Sequence, residues 1–87
     1  MKCVIKDTKE YECFCLTENN IKKFIKWLNK ISEFKYKYIY YNKDENFIEL
    51  EYENNIYNFE INRYYVYKNG SLFDYDKEIF YKLYKII

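Results

Sequence analysis

From Tyr36 to Lys68 the chain alternates apolar and polar residues with a period of two. The segments Tyr36–Tyr41, Phe47–Tyr52, Ile56–Ile61 and Tyr64–Lys68 are rich in aromatic and β-branched residues, which predicts four strands. Asn42–Asn46, Asn54-Asn55 and Asn62-Arg63 supply the short turns between them. Asn69-Gly70 comes next. A type I′ turn needs positive φ at both central residues, so this pair predicts a hairpin that Ser71–Phe73 closes. Its register sets Lys68 against Ser71, Tyr67 against Leu72 and Val66 against Phe73.

Upstream, Cys3–Ile5 and Tyr11–Leu16 read as two further strands, with Asp7–Lys9 as the turn between them. The period then changes. Ile21, Phe24, Ile25, Leu28 and Ile31 recur at helical spacing, which predicts an amphipathic helix over about residues 18–31. Thr17 is placed as its N-cap, with Glu18 in the first turn where the helix dipole favours negative charge. Lys22, Lys26 and Lys30 follow at four-residue steps on the other face, with Lys23 beside them. Trp27 lies at the boundary, as a packed staple or an exposed anchor. Asp74 or Asp76 can cap a short final helix that buries Ile79, Phe80 and Leu83, and Tyr84–Ile87 trails as helix end or edge strand. Residues 1–87 therefore read as one α+β domain: a mostly antiparallel sheet of four to six strands, one long amphipathic helix packed on it, and a short C-terminal helix.

The middle hairpin allows a sharper expectation. A two-residue loop at Asn54-Asn55 pairs Glu53 with Ile56, Tyr52 with Tyr57, Leu50 with Phe59 and Ile48 with Ile61, and those apolar pairs define a buried face. The opposite face then carries Glu51 against Asn58 and Glu49 against Glu60. Directly opposed like charges destabilise a sheet. Either lysines such as Lys35 or Lys37 on the adjacent strand relieve this, or the acidic face serves a basic partner.

Charge is segregated along the chain. Residues 1–43 carry ten Lys against five acids; residues 44–62 carry six acids and no base; residues 63–87 carry five bases and three acids. The net charge of +1 conceals these blocks, which either neutralise one another in the fold or orient a partner on approach.

Thirteen tyrosines, seven Phe and one Trp make 24% of the chain aromatic, more than a domain of this size can bury. Tyrosine suits a contact surface, because its ring supplies area at low entropy cost while its hydroxyl stays wet. The strand pattern divides the set. Tyr52 and Tyr57 fall on a buried side, Tyr36, Tyr38 and Tyr40 line the core, and Tyr64, Tyr65 and Tyr67 are left as contact candidates. Heavy use of Lys, Asn, Ile and Tyr with a single Arg is the bias of an AT-rich genome.

The chemistry that is missing narrows the function. With no His, a nucleophile would need a carboxylate, Lys or Tyr as its base, and no motif places one. The lone glycine is engaged in a hairpin, which leaves no phosphate-binding loop of the glycine-rich kind. Cys3, Cys13 and Cys15 are an odd number without a disulfide pattern, and a metal site built on them would need a carboxylate as its fourth ligand. They read as small packed hydrophobes. No cofactor is expected, and the composition points away from an enzyme. Lys35-Tyr36-Lys37-Tyr38 interleaves cations and rings as a stacking platform does, yet near-neutral charge and an acidic hairpin weigh against nucleic acid. No apolar run is long enough to span a membrane and the first residues lack a signal-peptide core, so the cytoplasm is the expected location.

Two stretches carry a likeness. Glu12-Cys13-Phe14-Cys15-Leu16-Thr17 followed by Asn19–Trp27, and Tyr65-Val66-Tyr67 with Asn69-Gly70 and Ile79-Phe80 through Tyr84, resemble a family of small accessory proteins of tailed phages from low-GC bacteria. The Gly-Asp pair usual in that family is replaced here around Asn62-Arg63-Tyr64. The resemblance implies a non-enzymatic protein that blocks a host defence or nucleic-acid enzyme, in the manner of an anti-CRISPR. Glu49, Glu51, Glu53 and Glu60 would then mimic nucleic acid towards a host protein or complex, with Tyr64, Tyr65 and Tyr67 as anchors. A nucleotide-binding sponge, within one chain or at an oligomer interface, an oligonucleotide-binding module and an immunity or antitoxin protein are the alternative readings.

Overall fold

The computed structural model describes residues 2–5 and 9–87, so Asp7 and Thr8 of the expected first turn lie outside the described residues. In chain order the elements are β1 (Lys2–Ile5), β2 (Glu10–Leu16), α1 (Ile21–Ser32), β3 (Lys37–Asn42), β4 (Phe47–Tyr52), β5 (Asn55–Glu60), β6 (Arg63–Lys68), β7 (Ser71–Tyr75), α2 (Lys77–Leu83) and β8 (Tyr84–Ile86). The α+β class holds, but the strands divide between two antiparallel sheets. Five form one sheet in the order β7-β6-β2-β1-β8, and three form a second in the order β3-β4-β5.

The division falls at Asn62. The expected pairing of β5 with β6 through a tight turn does not occur; the chain leaves one sheet and enters the other. Asn62 takes positive φ (65°), its N–H donates to Leu16 O at 2.6 Å, and the Ile61 N–H donates to Asn46 O at 2.8 Å. Those two bonds fix the corner between the sheets.

Residues on β6 explain why one sheet is central. Phe14 pairs with Tyr65 and points with Leu16 and Leu72 towards α1 and the three-stranded sheet, where Phe24, Leu28, Ile48, Leu50, Phe59 and Ile61 complete one core. Cys13 pairs with Val66, and both join Cys3, Tyr64, Phe80 and Tyr84 in a second core under α2. Successive strand residues point to opposite faces, and here both faces are covered.

Phe24 is the hub of the first core. Its ring centroid lies 5.1 Å from Tyr65, 5.6 Å from Phe59, 5.7 Å from Phe14 and 5.8 Å from Trp27. Trp27 therefore packs as a staple rather than standing out as an anchor. The helix itself is shorter than its apolar periodicity suggests, at 12 residues. Its start moves because Asn20 ties down the preceding turn: Asn20 Oδ1 accepts from the Thr17 N–H at 2.8 Å, and Asn20 Nδ2 donates to Cys15 O at 2.9 Å. Residues 17–20 thus form a turn, Thr17 does not cap, and Glu18 precedes the helix.

At the other end, Asp76 caps α2 by accepting from the Ile79 N–H at 2.9 Å. Phe80 is buried as expected, whereas Ile79 and Leu83 stay exposed because so short a helix presents only one residue to the sheet. Tyr84–Ile86 is an edge strand paired with β1.

Candidate binding surface on the three-stranded sheet

The β4–β5 ladder sets the geometry of the acidic face, and its register differs from expectation by two residues. Glu53 and Asn54, with φ of 50° and 65°, form the turn, so Tyr52 pairs with Asn55, Leu50 with Tyr57 and Ile48 with Phe59. A shift of two preserves the faces. Ile48, Leu50 and Phe59 are buried as expected, while Tyr57 on the edge strand is exposed.

The same shift changes who opposes whom. Glu49 stands opposite Asn58, and Glu60 stands opposite Phe47. The like-charge pair of Glu49 and Glu60 does not form, so no repulsion needs relieving. Across the other edge of β4, Glu51 faces Lys37 and Glu49 faces Tyr40. Three rungs result on the outer face: Lys37–Glu51–Ile56, Tyr40–Glu49–Asn58 and Asn42–Phe47–Glu60. None of these residues is buried. Glu53 sits apart, exposed in the β4–β5 turn.

Tyr40 reaches this face through an irregularity. The β3–β4 register shifts between Tyr38 and Tyr40, leaving Ile39 unpaired. A bulge of this kind turns the strand and redirects the residues after it. Tyr40 is consequently turned to the outer face, and Tyr38, opposite Leu50 on an edge strand, is exposed as well, contrary to the expectation that both line the core; Tyr36 does pack against it. Sequence reasoning missed Tyr40 and Ile56 as companions of the glutamates, because the turn and the bulge that align them leave no pattern of their own.

The three candidate tyrosines occupy a different place. Tyr64 and Tyr65 are only 6% and 4% exposed, and Tyr67 is half-buried, because β6 is an interior strand of the five-stranded sheet with a core on each face. The Tyr64 ring stacks on Phe80 at 3.9 Å and its hydroxyl lies 2.6 Å from that of Tyr81. Burial, reinforced by that hydrogen bond, pushes the Tyr64 phenol well above the usual tyrosine range. Burial does the same to Tyr65, with the carboxylates of Asp74 and Glu60 adding to it.

Tyr65 still bears on the acidic face, though from behind. Its hydroxyl donates to the Glu60 backbone carbonyl at 3.0 Å and so fixes the end of β5 against the neighbouring sheet. Arg63 partly offsets the Glu60 charge at 3.7 Å but is held more closely by Asp74, at 2.7 Å. Glu49 and Glu51 make no ion pair within 4 Å among the described residues.

Glu18, Ile21, Lys22, Ile25 and Tyr38 border an open groove of about 580 Å³ between the start of α1 and β3. The three cysteines are free, Cys3 and Cys13 buried and Cys15 half-buried, and burial raises all three thiols. They pack under α2 as small hydrophobes do. Among the described residues, no helix is long and apolar enough to cross a membrane.

No protein-family model, no curated protein and no solved structure matches this chain.

Proposed function

We propose that this chain is a non-enzymatic protein-binding inhibitor whose contact surface is the outer face of the three-stranded sheet. One observation carries the reading: Glu49, Glu51 and Glu60 share an uncovered sheet face with the exposed side chains of Tyr40 and Ile56. Carboxylates spaced about 7 Å apart along a strand offer a basic surface a regular row of acceptors. The aromatic and aliphatic side chains between them supply the apolar anchor that a row of charges lacks. Glu53 extends the negative field at one end of the sheet, and Asp44 and Glu45 extend it at the other.

The partner that fits is a host protein with a basic, nucleic-acid-binding surface, which the acidic face occupies in place of phosphates. This is the manner of action expected of an accessory protein that a phage or mobile element turns against host defence. Tyr65 acts as the scaffold beneath the surface, Tyr64 belongs to the core under α2, and Tyr40 replaces them as the aromatic contact.

Affinity capture from a host extract, followed by elution with duplex DNA at constant ionic strength, tests the reading. A basic partner released by DNA supports mimicry. A partner retained against excess DNA, or one with no basic surface, removes the mimicry reading.

A further inference from the structure

A second cluster lies on the α2 side of the five-stranded sheet and shares no residue with the acidic face. Lys68 ends β6, and its Nζ is 2.7 Å from the Tyr84 hydroxyl and 3.2 Å from the Tyr75 hydroxyl. Those two hydroxyls are 3.1 Å apart, which closes a triangle. The ammonium also lies 4.9 Å from the Phe73 ring centroid and 6.0 Å from that of Tyr11. The residues come from β2, β6, β7 and β8; β7 and β8 are opposite edges of the sheet, so Tyr75 and Tyr84 meet by reaching across its face rather than through strand pairing.

Counting donors shows what the triangle leaves unused. Lys68 has three N–H donors and directs two at phenol oxygens. Either hydroxyl can donate to the other, so one of the two O–H groups is left without an acceptor inside the triangle, and Tyr75, half-buried where Tyr84 is buried, is the more accessible of the pair. One ammonium N–H and one phenol O–H therefore remain side by side. Among the described residues no carboxylate lies within 4 Å of Lys68; Asp74, on the neighbouring strand, points to the opposite face and holds Arg63. The hydrogen bond to Tyr84 lifts the lysine above its usual range, against the burial that would lower it, so its charge persists. Lys9 brings a second ammonium to 5.7 Å from the Tyr11 ring.

Here a charged group and a hydroxyl are oriented by one another, and both have donors to give.

We infer that Lys68 and Tyr75, held in place by Tyr84, form a binding site for a phosphate monoester or free phosphate. A phosphate dianion accepts from the ammonium and the phenol together. Phe73, which is 43% exposed beside the ammonium, gives the organic group of an ester an aromatic surface to lie on. This site is independent of the acidic face and stands whether or not that surface binds a partner.

The test is an NMR titration of the whole chain with inorganic phosphate and, separately, with adenosine monophosphate, at ionic strength fixed by chloride. Saturable shifts at the Lys68 ammonium and at the Tyr75 and Tyr84 rings are expected with both. Tighter binding of the nucleotide assigns Phe73 to the base, and equal binding assigns the site to phosphate alone. Tyr75→Phe, which keeps the ring, should weaken binding about tenfold, and Lys68→Met should abolish it. Absence of saturable shifts at these three residues overturns the inference, as does wild-type affinity in folded Lys68→Met. Should Lys68→Met fail to fold, unchanged affinity in Tyr75→Phe overturns it equally.

Discussion

Glu49 stands opposite Asn58 across the β4–β5 ladder, and Glu60 lies one same-face rung further on, opposite Phe47. The glutamates are thus staggered rather than opposed. Both can stay ionised on one face without the penalty of directly facing like charges. The stagger is set by a turn at Glu53-Asn54, which makes that turn the first place to test the account.

Glu53 occupies the left-handed region (φ 50°), where a residue with a Cβ other than Asn or Asp is strained. Glu53→Gly should therefore stabilise the protein by about 1 kcal/mol, read as a higher urea midpoint at unchanged m-value. If the turn lay at Asn54-Asn55 instead, the same change would remove a strand residue and lower the midpoint.

Phe24 touches four aromatic rings from β2, α1, β5 and β6. Phe24→Ala should cost about 3–5 kcal/mol, a large share of the stability of a domain this size. Denaturant unfolding followed by Trp27 fluorescence reads this directly, since the two rings are in contact. A loss below about 1 kcal/mol would mean that the helix is not seated on both sheets.

Tyr65→Phe removes only the hydroxyl that donates to the Glu60 carbonyl. It should lower stability by about 1 kcal/mol while leaving partner affinity within about twofold. A large loss of affinity at preserved stability would return Tyr65 to the contact surface.

Alkaline pH acts on the buried phenols and thiols. Burial raises Cys13, Tyr64 and Tyr65 above their ordinary values of 9.0, 10.0 and 10.0. In the window above pH 9 the unfolded chain loses these protons while the folded chain keeps them, so stability is full below that window and falls as pH rises through it. For a buried group such as Tyr65 the slope is about 1.4 kcal/mol per pH unit. Melting temperatures from pH 7 to 11 should stay level to about pH 9 and then drop steeply. A flat profile to pH 11 would contradict the burial of these side chains.

How far the chain could be read depended on whether turn chemistry was unique. Asn69-Gly70 is a pair that one turn type favours, and the register of Lys68 with Ser71, Tyr67 with Leu72 and Val66 with Phe73 followed from it. Glu53-Asn54-Asn55 offers two neighbouring pairs, and glutamate gives no hint that it will take positive φ, so that register was displaced. Tyr64 and Tyr65 could not be placed by alternation, because a strand covered on both faces buries adjacent residues alike. The helix start was hidden by Asn20, whose side chain closes the preceding turn instead of capping the helix. Lys68, Tyr75 and Tyr84 are separated along the chain and meet only where their side chains reach across the face of the sheet, so their cluster had no local signal at all.

The most direct measurement is the dissociation constant for the partner captured by the wild-type chain, set against that of Glu49→Lys/Glu51→Lys/Glu60→Lys. Outer-face substitutions leave the core untouched, so the variant should stay folded, with a modestly lower melting temperature because lysine at position 51 faces Lys37 and lysine at position 60 lies beside Arg63. The account predicts affinity about 100-fold weaker or worse for the triple variant, with the difference shrinking as salt is raised. A folded triple variant that binds as tightly as the wild type would contradict it.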